Sequence, residues 1–98
     1  MIAYVKGKLD IKTNTFVVID VQGIGYRVFM PAKSIGNLGE IGEVVKVYTH
    51  YYVREDNISL YGFSSNEELR MFELLISVSG VGAKSAITIH LGPVSHNY

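Results

Sequence analysis

The segment of this sequence best suited to bind an anion is SGVGAKSAI, which runs from Ser79 to Ile87. Its two glycines allow a sharp turn that brings backbone N–H groups to the surface. The helix that follows would point its positive dipole end outward, with Lys84 and Ser85 in its first turn. The spacing therefore predicts a phosphate site that contacts the nucleic-acid backbone and does not read base sequence.

Two interpretations compete for this glycine segment. The glycines alone favour a simple connection between packed helices. The surrounding residues favour the other interpretation, because Leu75 and Val78 precede the turn and the small Ala86 follows it, where two helices would cross. This pattern resembles the helix-hairpin-helix motif, which binds duplex DNA without sequence specificity.

Glu55 and Asp56 form a pair of adjacent carboxylates in the stretch VREDN. The stretch lies between two strand-like runs, so we expect a hairpin with both acids at or near its tip. Neighbouring residues on a strand-like tip point apart, which suits neither a shared proton nor a single metal ion. A solvated turn is the ordinary interpretation of such a pair.

Aromatic and basic residues alternate in VKVYTHYYVR, residues 45–54. In a strand, one face would carry Val45, Val47, Tyr51 and Val53, and the other Lys46, Tyr48, His50, Tyr52 and Arg54. Basic residues interleaved with aromatics are typical of proteins that stack single-stranded nucleobases. Packing in a barrel or against another subunit is the favoured alternative for most of these tyrosines. His50 has no His or Cys partner at metal-ligand spacing, so we expect it to be structural.

The sequence offers no set of residues for catalysis or for a cofactor. It contains no cysteine, and no Ser/His/Asp arrangement stands out. The GIG of VQGIGYRV, residues 21–28, leads into a strand and is not followed by Lys-Ser or Lys-Thr. It therefore predicts a tight hairpin with a close backbone approach and not a nucleotide-binding loop. We expect a non-enzymatic protein without metal or cofactor.

Composition predicts one small globular domain, since 48% of the 98 residues are hydrophobic. No apolar run approaches the roughly 18–20 residues of a membrane span, and no signal peptide is evident, so we expect no membrane contact. The absence of cysteine fits a reducing compartment, so we expect a cytoplasmic location. The net charge of the chain is zero, but the charges are unevenly distributed. Residues 1–50 carry six basic and four acidic residues, whereas residues 54–73 carry two basic and five acidic residues. One molecule can therefore both attract and repel a polyanion.

The elements that would position these residues change type after Phe63. Before it, five runs show strand patterns: IAYVKGKL, TFVVIDV, IGYRVFM, EVVKVYTHYYV and ISLYGF. Turns are predicted at residues 12–14 and 22–23, and residues 31–42 form a longer connection with room for one helical turn. This arrangement predicts a mainly β protein with a five-stranded OB-fold barrel, although an SH3-like barrel has a similar strand count.

Helical periodicity follows the barrel. Ser65 and Glu68 form a capping box ahead of one apolar face, made of Leu69, Phe72, Leu75 and Ile76. Met71, Leu74 and Val78 widen this face, so we expect the helix to pack against two neighbours. The glycine segment ends it, and a second helix is predicted from about residue 83 to residue 90.

Taken together, these segments resemble the RuvA family, the Holliday-junction-binding subunits of the bacterial branch-migration complex. The resemblance rests on VQGIGYRV, on Met30-Pro31, on YTHYYVREDNISLYGF at residues 48–63 and on SGVGAKSAI. The long central match is the most specific, because it joins a strand, the acidic turn and the next strand at one spacing.

The resemblance implies an OB-fold domain at residues 1–63 and part of a helix-hairpin-helix domain at residues 64–98. It implies a homotetramer that holds a four-way DNA junction open during recombination and repair. The RuvB motor ATPase and the RuvC resolvase would be its partners, and ATP hydrolysis and strand cleavage would belong to them. The resemblance assigns DNA-phosphate contacts to Gly80, Val81, Gly82, Lys84 and Ser85. It assigns an acidic pin at the tetramer centre to Glu55 and Asp56.

The C-terminal end departs from the family pattern. The chain ends at Tyr98, so we expect the second hairpin motif and the motor-binding domain to be absent, and residues 90–98 differ from the family's helix-rich continuation. A second hypothesis, of a different class, is an OB-type module that binds single-stranded nucleic acid through Lys46, Tyr48 and Tyr52. A preference for four-way junctions over single strands would separate the two.

Overall fold

Five strands and two helices follow the apolar patterns of the sequence in the computed structural model, which describes residues 1–78. They are β1 (Tyr4–Lys12), β2 (Phe16–Val21), β3 (Ile24–Phe29), α1 (Ala32–Gly36), β4 (Val44–Arg54), β5 (Asn57–Phe63) and α2 (Asn66–Ser77). The five predicted strands and the helical turn after β3 are confirmed. Strand β1 was predicted over residues 2–9 but spans Tyr4–Lys12, because an irregularity between Leu9 and Ile11 interrupts the alternation and obscures its last residues.

The strands close into a barrel in the order β1-β2-β3-β5-β4, with β4 returning to pair with β1. Strand β1 closes the barrel, because its first half pairs with β4 and its second half pairs with β2. Strands β3 and β5 are parallel, and every other pair is antiparallel. This closed five-stranded topology is consistent with the predicted OB-fold.

Apolar residues at alternate positions fill the barrel interior. The buried cluster comprises Val5, Leu9, Val17, Ile19, Val28, Met30, Ile35, Val45, Val47 and Leu60. Helix α1 contributes Ile35, which is buried within this cluster, so the long connection between β3 and β4 supplies part of the core.

Two glycines permit close packing that a side chain would prevent. A Cβ atom at Gly7 would collide with the backbone carbonyl of Asp20, and one at Gly62 would collide with the Val28 side chain. The first collision is with a neighbouring strand and the second lies in the barrel interior. The hairpin at Gln22 and Gly23 requires glycine for a different reason, because φ is +52° and +91° at its two central residues. That hairpin confirms the turn predicted at residues 22–23.

Helix α2 begins as the capping box predicts, but only one half of the box forms. The Ser65 hydroxyl accepts a hydrogen bond from the Glu68 backbone N–H at 3.2 Å. The Glu68 carboxylate accepts instead from the Ser64 hydroxyl, at 2.9 Å. Two serines therefore fix the start of the helix: Ser65 caps the Glu68 N–H, and Ser64 binds the Glu68 carboxylate.

Candidate nucleic-acid interface

The acidic pair lies at the tip of the β4–β5 hairpin, as predicted. Arg54 ends β4 and pairs with Asn57 at the start of β5, so Glu55 and Asp56 form a two-residue turn. Both are exposed. Among residues 1–78, Gln22 is the one non-glycine residue with positive φ, so neither acid occupies a left-handed conformation. The turn presents both carboxylates to solvent without backbone strain.

This hairpin extends beyond the body of the barrel. The last backbone hydrogen bond from β4 to the N-terminal segment is the one that the Thr49 N–H donates to the Ala3 carbonyl at 2.9 Å. On the other side, β5 pairs with β3 only at Leu60 and Tyr61. A cleft of about 600 Å³ separates residues 57–60 of the hairpin from residues 25–27 of β3. We refer to residues 50–59 as the hairpin arm, which holds the two carboxylates away from the barrel.

The arm also exposes apolar surface below its tip. Val53 and Ile58 are paired across the two strands and are 60% and 59% exposed. Val53 lies on the face of β4 that carries Val45 and Val47 into the core, but at this point the barrel no longer covers it. The two side chains therefore form a small exposed apolar pair next to the acidic tip.

Helix α2 is fixed to the outer face of β4 and β5 by a cluster of aromatic residues. Phe72 is fully buried, with its ring centroid 5.0 Å from that of Phe63 and 5.3 Å from that of Tyr61. His50 packs edge-on against Phe72 and donates from Nδ1 to the Glu73 carboxylate at 2.9 Å. Burial in this cluster raises the pKa of the Tyr61 phenol. His50 is thus a docking residue for α2, in line with the structural role expected for it.

The residues proposed for single-strand stacking separate into two places. Tyr52 belongs to the cluster under α2, where its ring meets Tyr61 edge-on at 5.7 Å. Lys46 and Tyr48 lie nearer the start of β4, beside Tyr4 of β1. The structure therefore does not bring the three together on one stacking surface. The sequence did not single out Tyr4 as part of this group, although its alternation with Lys6 and Lys8 in IAYVKGKL places it on the outer face of the barrel.

The predicted phosphate-binding residues, Gly80, Val81, Gly82, Lys84 and Ser85, lie outside the described residues, as do the second predicted helix and residues 90–98. Helix α2 leads directly to them. In the barrel and α2, no three His, Asp or Glu side chains are grouped to hold a metal ion. Neither helix within residues 1–78 is long and apolar enough to cross a membrane.

Comparison with known proteins agrees with the geometry of the barrel and its arm. The family described as the RuvA N terminal domain matches residues 1–62, which include the acidic turn. A relative from Acetivibrio thermocellus, named Holliday junction branch migration complex subunit RuvA, is 56% identical over 89 residues, covering 91% of this chain and 44% of the relative. Relatives of the same name share 53% identity in Ruminiclostridium cellulolyticum (91% of this chain, 45% of the relative) and 48% in Francisella tularensis subsp. novicida (94% and 43%).

The chain spans less than half the length of these curated relatives. The family match nevertheless extends over nearly the whole barrel and both strands of the hairpin arm. On this match the chain belongs to the RuvA family, through its N-terminal domain.

Proposed function

We propose that this chain acts as a junction-binding scaffold in DNA branch migration, in a complex with the RuvB motor ATPase and in cooperation with the RuvC resolvase. The observation that carries the proposal is the exposed Glu55-Asp56 turn at the end of a projecting arm, within a domain of the RuvA family. The relatives are named as subunits of the Holliday junction branch migration complex. ATP hydrolysis and strand cleavage are assigned to the partners.

The acidic turn would act as a pin at the centre of the junction. Four duplexes converge there, and their phosphate backbones repel carboxylates. Glu55 and Asp56 would keep the strands apart at the point where base pairs exchange, while attraction elsewhere holds the arms. Because the Debye length is roughly 8 Å at physiological salt, only phosphates close to the pin would be affected.

A tetramer would bring four pins together, and the arm offers a surface for that contact. Val53 and Ile58 expose a paired apolar surface next to the charged tip. Burial of such a pair in a subunit contact is favourable by about 25 cal/mol per Å² of apolar surface. We propose that homotetramer formation buries these side chains and so places the carboxylates at the common centre.

The attractive contacts are proposed for the segment after α2. Backbone N–H groups from Gly80 to Gly82, with Lys84 and Ser85, would grip phosphates. Support for this comes from α2, which precedes that segment in the chain and is docked on the barrel through Phe72 and His50.

Neutralising the pin tests the proposal. In the Glu55→Gln, Asp56→Asn variant we expect tighter binding to plain duplex and a lower preference for four-way junctions. A carboxylate and a phosphate about 6 Å apart in water repel by about one RT, which screening reduces to about half. Two carboxylates then weaken backbone binding by roughly threefold per subunit, or by one to two orders of magnitude across four subunits. Competition binding with junction, duplex and single strand of matched length measures the ratio.

The matched control is Glu40→Gln with Glu67→Gln, which removes the same charge from two exposed side chains outside the hairpin arm. Thermal melting and light scattering would check that folding and assembly are unchanged in both variants. An unaltered junction-to-duplex ratio in the pin variant, or an equal change in the control, would show that the acids are only a solvated turn.

A further inference from the structure

Two lysines face each other on the outer surface of the barrel, away from the hairpin arm. Lys6 of β1 and Lys46 of β4 are directly paired across the strands, and Tyr4 is paired with Tyr48 in the adjacent position. Both lysines and Tyr4 are exposed, and Tyr48 is half-buried. We call these four residues the β1–β4 patch.

The patch carries positive charge that the barrel does not neutralise. Like charges placed directly opposite on antiparallel strands destabilise the pair. Within the described part of the chain, the one contact between oppositely charged side-chain types joins His50 to Glu73, so neither lysine of the patch has an acidic partner there. Lys46 is partly stabilised by aromatic rings, since its Nζ lies 4.3 Å from the centre of the Tyr4 ring and 5.2 Å from that of Tyr48. No such contact involves Lys6 within residues 1–78.

The arrangement suits a phosphate backbone better than stacked bases. Nζ of Lys46 lies over the Tyr4 ring and occupies a face on which a base would stack. Lys8 lies on the same side of β1, about 7 Å beyond Lys6, but it is paired across the strands with the exposed Asp20, so the unopposed positive charge is that of Lys6 and Lys46. Two exposed ammonium groups side by side on neighbouring strands complement the successive phosphates of a nucleic-acid backbone.

The patch is also well separated from the acidic tip. Arg54 lies eight positions after Lys46 in β4, which corresponds to about 27 Å. Between them, α2 docks at His50 on the same outer face. Strand β4 therefore carries an attractive surface at one end and a repulsive one at the other.

From this geometry we infer that the β1–β4 patch binds the sugar-phosphate backbone of a DNA duplex, with Lys6 and Lys46 contacting phosphates. The inference rests on the proposed function, in which duplex arms leave the junction centre. The patch would hold an arm at a distance from the pin, independently of the segment after α2.

The test compares Lys6→Gln and the double variant Lys6→Gln, Lys46→Gln with the unmodified 98-residue chain. Binding of labelled duplex, four-way junction and single strand is followed by fluorescence anisotropy between 50 and 200 mM salt, a range over which phosphate contacts strongly affect affinity. The plot of log K against log salt concentration should become shallower by about 0.9 for the single variant and about 1.8 for the double variant on duplex. Lys33→Gln, an exposed lysine on α1, is the control and should leave the slope unchanged.

Thermal stability distinguishes binding from a structural role. Removing the charge of Lys6 relieves repulsion, so the melting temperature of Lys6→Gln should stay the same or rise while duplex binding weakens. A Lys6→Gln variant with a lower melting temperature and an unchanged salt slope would overturn the inference. So would a double variant that loses only single-strand binding, or an unmodified chain that binds no duplex at 50 mM salt. The unmodified chain could bind junction and duplex equally while the variants still show a shallower salt dependence. In that case the scaffold proposal fails, but duplex binding by the β1–β4 patch is supported.

Discussion

Removing the Phe72 side chain should detach α2 from the barrel without unfolding the barrel. Phe72 is fully buried and lies against Phe63, Tyr61 and His50. Replacing a buried phenylalanine with alanine costs about 3–5 kcal/mol. The helix has 12 residues, which is too short to be stable alone, so its structure depends on this docking.

The loss should stay local because the two cores are separate. The barrel interior consists of ten buried residues, none of which belongs to the cluster of Tyr61, Phe63 and Phe72. A loss of 3–5 kcal/mol is comparable to what one small helix gains by docking, and it leaves the contacts of the barrel interior in place. We therefore expect α2 to open while the strands remain paired.

Hydrogen exchange measured by mass spectrometry would resolve this. In Phe72→Ala, amides of residues 69–77 should lose two to three orders of magnitude of protection, since each 1.4 kcal/mol corresponds to about tenfold, and those of β1 to β4 should keep theirs. Met71→Ala is the matched control, because its side chain is 50% exposed on the neighbouring helix position and should cost less than about 1 kcal/mol. Equal loss of protection in the strands would show that α2 and the barrel unfold together, which contradicts the separation of the cores.

Two further substitutions test local features of the fold. Gly62→Ala should destabilise the barrel by about 1–3 kcal/mol, measured by urea denaturation, because the new methyl group would collide with Val28 and crowd Val47 in the interior. Gly36→Ala, where nothing lies within 4 Å of the added carbon, is its control and should be neutral or stabilising; equal effects would contradict the packing argument. Ser65→Ala should lower the free energy of unfolding by about 1 kcal/mol through loss of the cap on α2, and Ser65→Asp should retain most of that stability. Equal stability of the two variants would show that the Ser65 cap does not stabilise the helix.

Local patterns in the sequence predicted those parts of the site that depend on neighbours along the chain. The alternation of apolar residues in β4 predicted which side chains lie on each face of the strand. The spacing of two strand-like runs placed Glu55 and Asp56 at a hairpin tip. The start of α2 followed from Ser65 and Glu68, because capping is a short-range interaction. In each case the determining contacts lie within about four residues.

Features that depend on distant pairing were not predictable in this way. The exposed lysines of the β1–β4 patch come together only because Lys6 pairs with Lys46, 40 positions later, and no local period encodes that register. The contact between His50 and Glu73 depends likewise on how α2 crosses the barrel. The need for glycine at Gly7 and Gly62 becomes evident only when the neighbouring strand or core side chain is in place.

If the proposed function holds, the charge pattern of β4 would let a chain of zero net charge act on a polyanion. Its outer face carries Lys46 near the start and His50 at the docking site of α2, and its end leads into Glu55. A paired strand of 11 residues is about 37 Å long and keeps these positions at fixed separations. Because that length is several Debye lengths at physiological salt, the two ends would not cancel each other's effect on a DNA molecule lying along the strand. Under the proposed function, the distribution of charge along this strand, and not the total charge, would determine where DNA is held and where it is kept apart.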